Sequence, residues 1–204
     1  VAYYLEADLN DRHLKFTVDT TFQRRLKTSQ YYDKNEQPLL VVNTTFFSFA
    51  TNQNLNVVIK KGKMIGYNIH TISGKGKDTL TYRHPFGSAI GISKKREAYV
   101  AWVYTDSSLR FAYATESVFQ PVRDSIAIFP FQGFLKQFPQ LDGVTRQGLK
   151  NHTRWKMKTA VGGGPVLLQN GDIKITNNEE LKFAGKAIND KHPRTAMGYT
   201  GDNK

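Results

Sequence analysis

Short apolar runs separated by turn residues constrain the fold of this chain more than any other feature. Three of them, PFGSAIGIS (85–93), AYVAWVYT (98–105) and LRFAYAT (109–115), follow one another with only a few residues between them. Runs of this length, rich in aromatic and β-branched residues and bounded by turns, are typical of antiparallel strands. The central part of the chain is therefore predicted to form an antiparallel sheet.

Turn residues predict two hairpins. LNVVIKKGKMIGYN (55–68) has a Lys-Gly turn, and GPVLLQNGDIK (164–174) contains Asn-Gly, the strongest short-range hairpin signal. RWKMKTAV (154–161) alternates between polar and apolar residues, which predicts a further strand. Weaker patterns predict additional strands at residues 2–9, 14–20, 38–43 and 194–200.

Two helices are predicted beside the strands. TTFQRRLKTSQYYDKN (20–35) has apolar residues near a 3.6-residue period, and NNEELKFAG (177–185) has Asn177 or Asn178 as its cap and Gly185 as its stop. Strands grouped in runs, without a βαβ rhythm, favour an α+β fold with a mostly antiparallel β-sheet and a few flanking helices. Residues 115–153 are predicted to be irregular, and no linker or internal repeat divides the single domain predicted for residues 1–204.

Composition excludes several kinds of site. The chain has no cysteine, so it has no disulfide, thiolate zinc site or cysteine nucleophile. The formal net charge of +12 permits a phosphate-bearing or polyanionic partner. Because the lysines are scattered over predicted turns, a nucleic-acid-binding stripe is the less favoured interpretation. No segment has the length of a membrane span, and we expect a bacterial, exported protein (periplasmic, cell-surface or secreted) whose leader is not in this chain.

The glycine run Gly162-Gly163-Gly164 does not fit a nucleotide-binding loop. It lacks the spacing of a P-loop or a dinucleotide fingerprint, and Pro165 and a predicted strand follow it where those motifs need a helix. The five histidines are dispersed, so nothing marks a zinc site. No cofactor is predicted, although a hard-cation site for an ion such as calcium, built from carboxylate and backbone oxygens, stays open.

Three short stretches carry candidate chemistry. In KHPRTAMG, His192 and Arg194 flank a proline before a predicted strand, and the guanidinium could clamp a phosphate or pair with a carboxylate. In VVNTTFF, Asn43 could cap a turn or face a sugar. Glu179 and Glu180 at a predicted helix start could be helix-end charges or an acid–base group. The residues alone leave each pair of alternatives open.

Taken in order, these segments resemble the phosphodiester glycosidase domain family, which includes the uncovering enzyme of the mannose 6-phosphate pathway, an N-acetylglucosamine-1-phosphodiester α-N-acetylglucosaminidase. PLLVVNTTFF resembles its strand ending in Asn-Gly-Gly-Phe-Phe, AVGGGPVLLQNGDI its Gly-Gly-Pro-Leu-Leu strand and hairpin, and HPRTAMGYTGDNK its Arg-Thr-Ala-x-Gly strand. The resemblance covers about residues 40 to 204. The family's later Asn-x-Asp-Gly-Gly-Gly-Ser block has no counterpart before Lys204, so the C-terminal part of the domain is expected to be missing.

The resemblance implies hydrolysis of a sugar-1-phosphodiester, which releases the sugar and leaves a phosphomonoester. It implies Arg194 as the phosphate ligand with help from His192, and Glu180 or Glu179 as the carboxylate, in competition with the Asp of the later block. Polar and close-approach contacts to the substrate are implied for Asn43, Thr44, Thr45, Gly162, Gly163, Gly164 and Thr195. Because Thr44 and Thr45 replace the family's paired glycines, the alternative is a non-catalytic glycan-binding module on the same fold.

Overall fold

One curled antiparallel sheet organises the protein. The computed structural model describes residues 2–83, 85–105, 111–118, 120–121 and 153–204. The strands are β1 (Val58–Lys60), β2 (Lys63–Gly66), β3 (Ile72–Ser73), β4 (Tyr82–Arg83), β5 (Gly87–Ser93), β6 (Ala98–Tyr104), β7 (Ala112–Thr115), β8 (Thr153–Trp155), β9 (Met157–Gly162), β10 (Leu168–Gln169) and β11 (Asp172–Ile173). The helices are α1 (Thr28–Lys34) and α2 (Asn177–Glu180), with 3₁₀ turns at Gly76–Asp78 and Gly185–Ile188.

The main sheet has seven strands in the order β2-β1-β9-β5-β6-β7-β8 and curls into a half-barrel. All of its neighbouring pairs are antiparallel. Two smaller hairpins, β3–β4 and β10–β11, lie beside it. The predicted α+β class with a mostly antiparallel sheet is therefore confirmed.

Both faces of the main sheet are buried along its centre. Ala101 and Val103 of β6 belong to the larger core cluster, together with Trp155. The alternate residue Trp102 points to the other face because side chains alternate along a strand, and it packs there in a smaller cluster with Val166. Glu180 lies on this second face, where it accepts a hydrogen bond from Trp102.

The strands with the clearest alternation and turn chemistry are confirmed. β1 and β2 form the first predicted hairpin, and Gly62 at its turn has φ of 79°. β10 and β11 form the second, where Asn170 and Gly171 both have positive φ, as a type I′ turn requires. The irregular region predicted for residues 115–153 lies almost entirely outside the described residues.

The two predicted N-terminal strands are wrong: residues 2–9 and 14–20 contain no strand. The Arg96 guanidinium donates hydrogen bonds to the backbone carbonyls of Leu9, Asp11 and Leu14. The Arg96 side chain thus satisfies three backbone carbonyls that a partner strand could otherwise have satisfied. The alternating pattern alone could not reveal this substitute, since Arg96 lies far away in the sequence.

Three further predictions differ from the structure, since one helix is shorter than predicted and two predicted strands are absent. The helix predicted over 20–35 is reduced to α1, since Gln23 has φ of 53°, a left-handed conformation that interrupts a helix. The apolar stretch 38–43 is not a buried strand, and Leu39 is 93% exposed. Residues 194–200 are not a strand either, although the turn predicted after them is present at residues 201–202.

Asp19 ties α1 to the sheet. Its carboxylate accepts hydrogen bonds from Lys34 at 2.7 Å and Lys60 at 3.1 Å, and from the Asn35 amide at 3.2 Å. Partial burial raises the pKa of Asp19, but these donors together outweigh burial and lower the pKa to about 2. The carboxylate therefore stays charged, and this attachment stays intact, through the mildly acidic range.

Candidate functional site

A cleft of about 340 Å³ opens beside α2 on the second face of the sheet. Four chain segments distant in sequence border it: residues 46–47, 55–72, 85–87 and 180–182. Its lining includes Phe46, Asn56, Asn68, Glu180, Leu181 and Lys182. The cleft thus combines apolar walls with two amides, a carboxylate and an ammonium, which is the mixture typical of ligand sites.

Glu180 is the most deeply buried charged residue in the described part of the chain, at 2% exposure. Its Oε2 accepts hydrogen bonds from the Ser88 amide at 3.0 Å and the Ser88 hydroxyl at 2.8 Å. Its Oε1 accepts from Trp102 Nε1 at 3.1 Å, the Val166 amide at 3.0 Å and the Thr176 hydroxyl at 2.7 Å. Because a carboxylate offers about four lone-pair sites, this one is saturated.

The short helix that carries Glu180 begins and ends at other residues than predicted. Its N-cap is Thr176 instead of Asn177 or Asn178, and the chain leaves the helix at Leu181, with φ of 51°, instead of Gly185. The Asn177 amide exchanges two hydrogen bonds of 2.9 Å with the backbone of Phe183. These two hydrogen bonds turn the chain back after a single helical turn and fix the position of Phe183.

The glycine run packs closely against its surroundings. A Cβ on Gly162 would lie 2.8 Å from the Asn56 Cβ. A Cβ on Gly164, which has φ of 96°, would collide with Glu180 Oε2 and Ser88 Oγ. Glycine is required at Gly164 both by its backbone conformation and by the approach of the Glu180 carboxylate.

Two of the predicted binding segments meet at the surface. The Thr195 hydroxyl lies 3.4 Å from Asn43 Oδ1, at hydrogen-bonding distance. The carbonyl oxygen of Thr44 is 3.7 Å from where a Cβ on Gly163 would stand, so the glycine run borders the same segment. Thr45, the next residue, is partly exposed. The three blocks that carried the family resemblance therefore lie side by side, although they are far apart in the sequence.

An aromatic pair next to the cleft is flanked by two cations. Phe46 and Phe183 pack edge to face with their ring centroids 5.8 Å apart. Lys182 Nζ lies 5.4 Å from the centroid of Phe46, and the Arg194 guanidinium carbon lies 4.8 Å from that of Phe183. Both distances are within the range of cation–π attraction.

The structure places the remaining candidates outside this group. His192 is 59% exposed, and its Nε2 lies 3.6 Å from Asp190 Oδ2. Glu179 accepts a hydrogen bond of 3.1 Å from Gln120 on the exposed side of α2. Of the two adjacent carboxylates, only Glu180 reaches the cleft.

The described residues lack two features. They hold no group of three or more histidine, aspartate or glutamate side chains placed to bind a metal ion. The same part of the chain contains no helix long and apolar enough to cross a membrane.

The sequence-based interpretation missed Lys182 and the buried amides, and it did not anticipate Ser88 as a partner of Glu180. A signal for Ser88 was present, because strand alternation puts it on the same face of β5 as the apolar Phe86 and Ile90. A serine on an apolar face needs a buried polar partner. No local sequence pattern marks Lys182, because the ring that it contacts, that of Phe46, is far away in the sequence.

Comparison with known families agrees with this arrangement. The phosphodiester glycosidase family model matches residues 132–204. The match includes the glycine run, Glu180, Lys182 and Arg194, whereas Asn43 and Phe46 lie outside it. No curated protein and no solved structure matches the chain. The resemblance to the phosphodiester glycosidase family is thus confirmed over the matched range, and it indicates a hydrolase of the glycosidase type with a sugar phosphate as the class of substrate.

Proposed function

We propose that this protein hydrolyses the glycosidic bond of a sugar-1-phosphodiester and releases the free sugar and a phosphomonoester. Water attacks C1 of the sugar, the C1–O bond breaks, and its electron pair leaves with the phosphate oxygen. The proton of the attacking water passes to a base or to solvent. We place the activity outside the cell, on surface polymers or glycoconjugates, as part of the same proposal.

One observation carries this proposal: the three segments with the family resemblance lie side by side, and the first of them lines the cleft through Phe46. Asn43 contacts Thr195, Thr44 borders Gly163, and Phe46 packs on Phe183. A chance likeness of separate short motifs gives no reason for their side chains to meet. The family match over residues 132–204 supports the same interpretation independently.

Arg194 is the proposed ligand of the phosphate. Its guanidinium is always protonated and can form two parallel hydrogen bonds to phosphate oxygens. The Phe183 ring beneath it holds the group near the cleft edge without using its N–H donors. His192 remains a proposed second ligand, which would have to leave Asp190 to reach the phosphate.

Glu180 is the proposed carboxylate of the site, and its hydrogen bonds limit the catalytic roles that it can have. Glycosidases stabilise an oxocarbenium-like centre with a carboxylate near C1. Because five donors already occupy both oxygens of Glu180, it is poorly suited to accept a proton or to form a covalent bond. We therefore assign to it electrostatic stabilisation of the positive charge that develops in the cleft.

The sugar is assigned to the polar side chains next to Arg194. Asn43 and Thr195 offer an amide and a hydroxyl at the surface, and Thr44 and Thr45 add two hydroxyls. Of Gly162, Gly163 and Gly164, the backbone at Gly163 is the most open to close approach, since Asn56 packs against Gly162, and Glu180 and Ser88 pack against Gly164. Phosphate is a good leaving group, so this site needs less general-acid assistance than an ordinary glycosidase.

Arg194→Ala is expected to reduce turnover of a sugar-1-phosphodiester by about 10²–10³-fold, the usual cost of one charge-stabilising donor. Release of sugar and phosphomonoester by the purified protein measures this directly. A circular dichroism spectrum unchanged from that of the parent protein would show that the fold is intact.

Arg154→Ala is the matched control, because the Arg154 guanidinium also lies over a phenylalanine ring, that of Phe111, at 5.4 Å. Arg154 belongs to β8, at the edge of the sheet. This variant should keep full turnover. Near-normal turnover by Arg194→Ala would refute the role given to Arg194, and saturable glycan binding without any product would favour the glycan-binding module.

A further inference from the structure

Lys182 is a charged residue of the cleft that the sequence-based interpretation did not use. It comes two residues after Glu180, directly after the left-handed Leu181 that ends α2. Its backbone amide bonds to the carbonyl of Asn177, so the main chain at this point is held in place. The side chain lines the cleft together with Phe46 and Leu55.

The Lys182 ammonium lacks an anionic partner in the described part of the chain. No ion pair and no side-chain hydrogen bond involves it there, and its aromatic contact is the Phe46 ring at 5.4 Å. Glu180 is near, but its oxygens are occupied by other donors. Burial lowers the pKa of Lys182, and the charge of Glu180 offsets part of that effect.

An ammonium in such surroundings costs free energy unless an anion joins it. Desolvation of a charge is unfavourable, and it is compensated when the charge finds a partner of opposite sign. Cation–π contact with Phe46 recovers only part of the lost hydration. Lys182 is partly exposed, so an anion that enters the cleft can reach an ammonium that forms no ion pair in the described part of the chain.

We propose that Lys182 binds the phosphate group of the substrate inside the cleft and so selects phosphodiesters over neutral glycosides. This inference rests on the proposed function, and it adds an inner phosphate ligand to the outer one assigned to Arg194. A phosphodiester carries one negative charge, and when the C1–O bond breaks the departing phosphate gains a second. An ammonium beside that oxygen interacts more strongly with the transition state than with the substrate.

The test is direct binding of inorganic phosphate and methyl phosphate, measured by calorimetry, together with turnover. Lys182→Met keeps the length of the side chain and removes the charge. It should weaken phosphate binding about tenfold to a hundredfold, as expected for the loss of a hydrogen-bonded charge. Lys182→Arg should restore most of the affinity. The thermal midpoint of Lys182→Met should equal or exceed that of the parent protein, since the variant removes a desolvated charge.

Lys174→Met is the matched control. Lys174 also lies over an aromatic ring, that of Trp102 at 5.6 Å, but its ammonium has a partner in Gln169 at 2.9 Å. This variant should bind phosphate as the parent does. Unchanged affinity in Lys182→Met, an equal loss in Lys174→Met, or no phosphate binding by the parent at millimolar concentrations would each overturn the proposal.

The two proposals can fail separately. Phosphate binding that depends on Lys182, without turnover of any sugar-1-phosphodiester, would uphold the anion site and contradict the enzymatic function. Turnover that is indifferent to Lys182→Met would uphold the enzymatic function and contradict the role of Lys182.

Discussion

Glu180→Ala is expected to lower the free energy of unfolding by about 3–5 kcal/mol, as when one partner is removed from a buried charged network. The change removes the acceptor of five hydrogen bonds, donated by Ser88, Trp102, Val166 and Thr176, although Val166 and Thr176 also bond to each other. It also leaves a cavity in the second face of the sheet. Since a domain has only about 5–15 kcal/mol of stability in total, the loss is severe. Urea denaturation followed by tryptophan fluorescence measures it.

Glu180→Gln separates the loss of acceptors from the loss of volume. The amide oxygen can replace Oε1, and the Ser88 hydroxyl can rotate to accept from the amide nitrogen, but the Ser88 N–H is left unsatisfied. One buried unsatisfied group costs about 1–3 kcal/mol, so this variant should be intermediate. Glu179→Ala, the change at the neighbouring carboxylate, should stay within about 0.5 kcal/mol of the parent. Equal stability of Glu180→Ala and Glu179→Ala would contradict the network described here.

Gly164→Ala should be the second most damaging change, at about 2–5 kcal/mol. A left-handed backbone conformation costs a residue with a Cβ about 1–2 kcal/mol. The collision with Glu180 and Ser88 adds about 1–3 kcal/mol of overpacking. The same denaturation experiment applies, and turnover should fall together with stability because Glu180 is displaced.

Gly171→Ala measures how much the backbone conformation alone contributes to the loss of stability. Gly171 has a similar φ of 86°, and nothing lies within 4 Å of the position that its Cβ would take. It should therefore lose only the conformational part, about 1–2 kcal/mol. If Gly164→Ala were no more destabilising than Gly171→Ala, the close approach of Glu180 to the glycine run would be refuted.

Local chemistry made the hairpins predictable. The Asn170-Gly171 turn depends on neighbouring residues alone, and this prediction is confirmed. The single strand predicted over 154–161 is present as two strands, β8 and β9, which are separated at Lys156. The α+β class followed from the same local patterns. The strands predicted at 2–9 and 14–20 are absent, and the carbonyls of Leu9, Asp11 and Leu14 accept hydrogen bonds from Arg96, a long-range partner that no local pattern reports.

The sequence predicted several individual residues of the candidate site, but not the contacts that these residues make in the fold. The residues Asn43, Glu180 and Arg194 stood out by type and position. The sequence could not indicate that Glu180 would be saturated by hydrogen bonds, because its donors come from β5, β6 and the segment after the glycine run. For the same reason it could not identify Lys182, whose place beside Phe46 in the cleft exists only in the folded chain.

The glycine run links fold and function most closely. The sequence suggested that these glycines admit a substrate to the backbone, and Gly163 beside Thr44 agrees with that role. Gly164 has a different task, since the space that a Cβ would need is taken by Glu180 and Ser88. The run of three glycines thus lies between the Thr44 segment and the buried carboxylate of Glu180.

The measurement that tests the central proposal most directly is hydrolysis of a sugar-1-phosphodiester in ¹⁸O-labelled water, with both products analysed by mass spectrometry. Attack of water at C1 puts the label on the released sugar and leaves the phosphomonoester unlabelled. We expect that result, with the yield lost in Arg194→Ala. Label in the phosphomonoester instead would show cleavage of the P–O bond and would contradict a phosphodiester glycosidase.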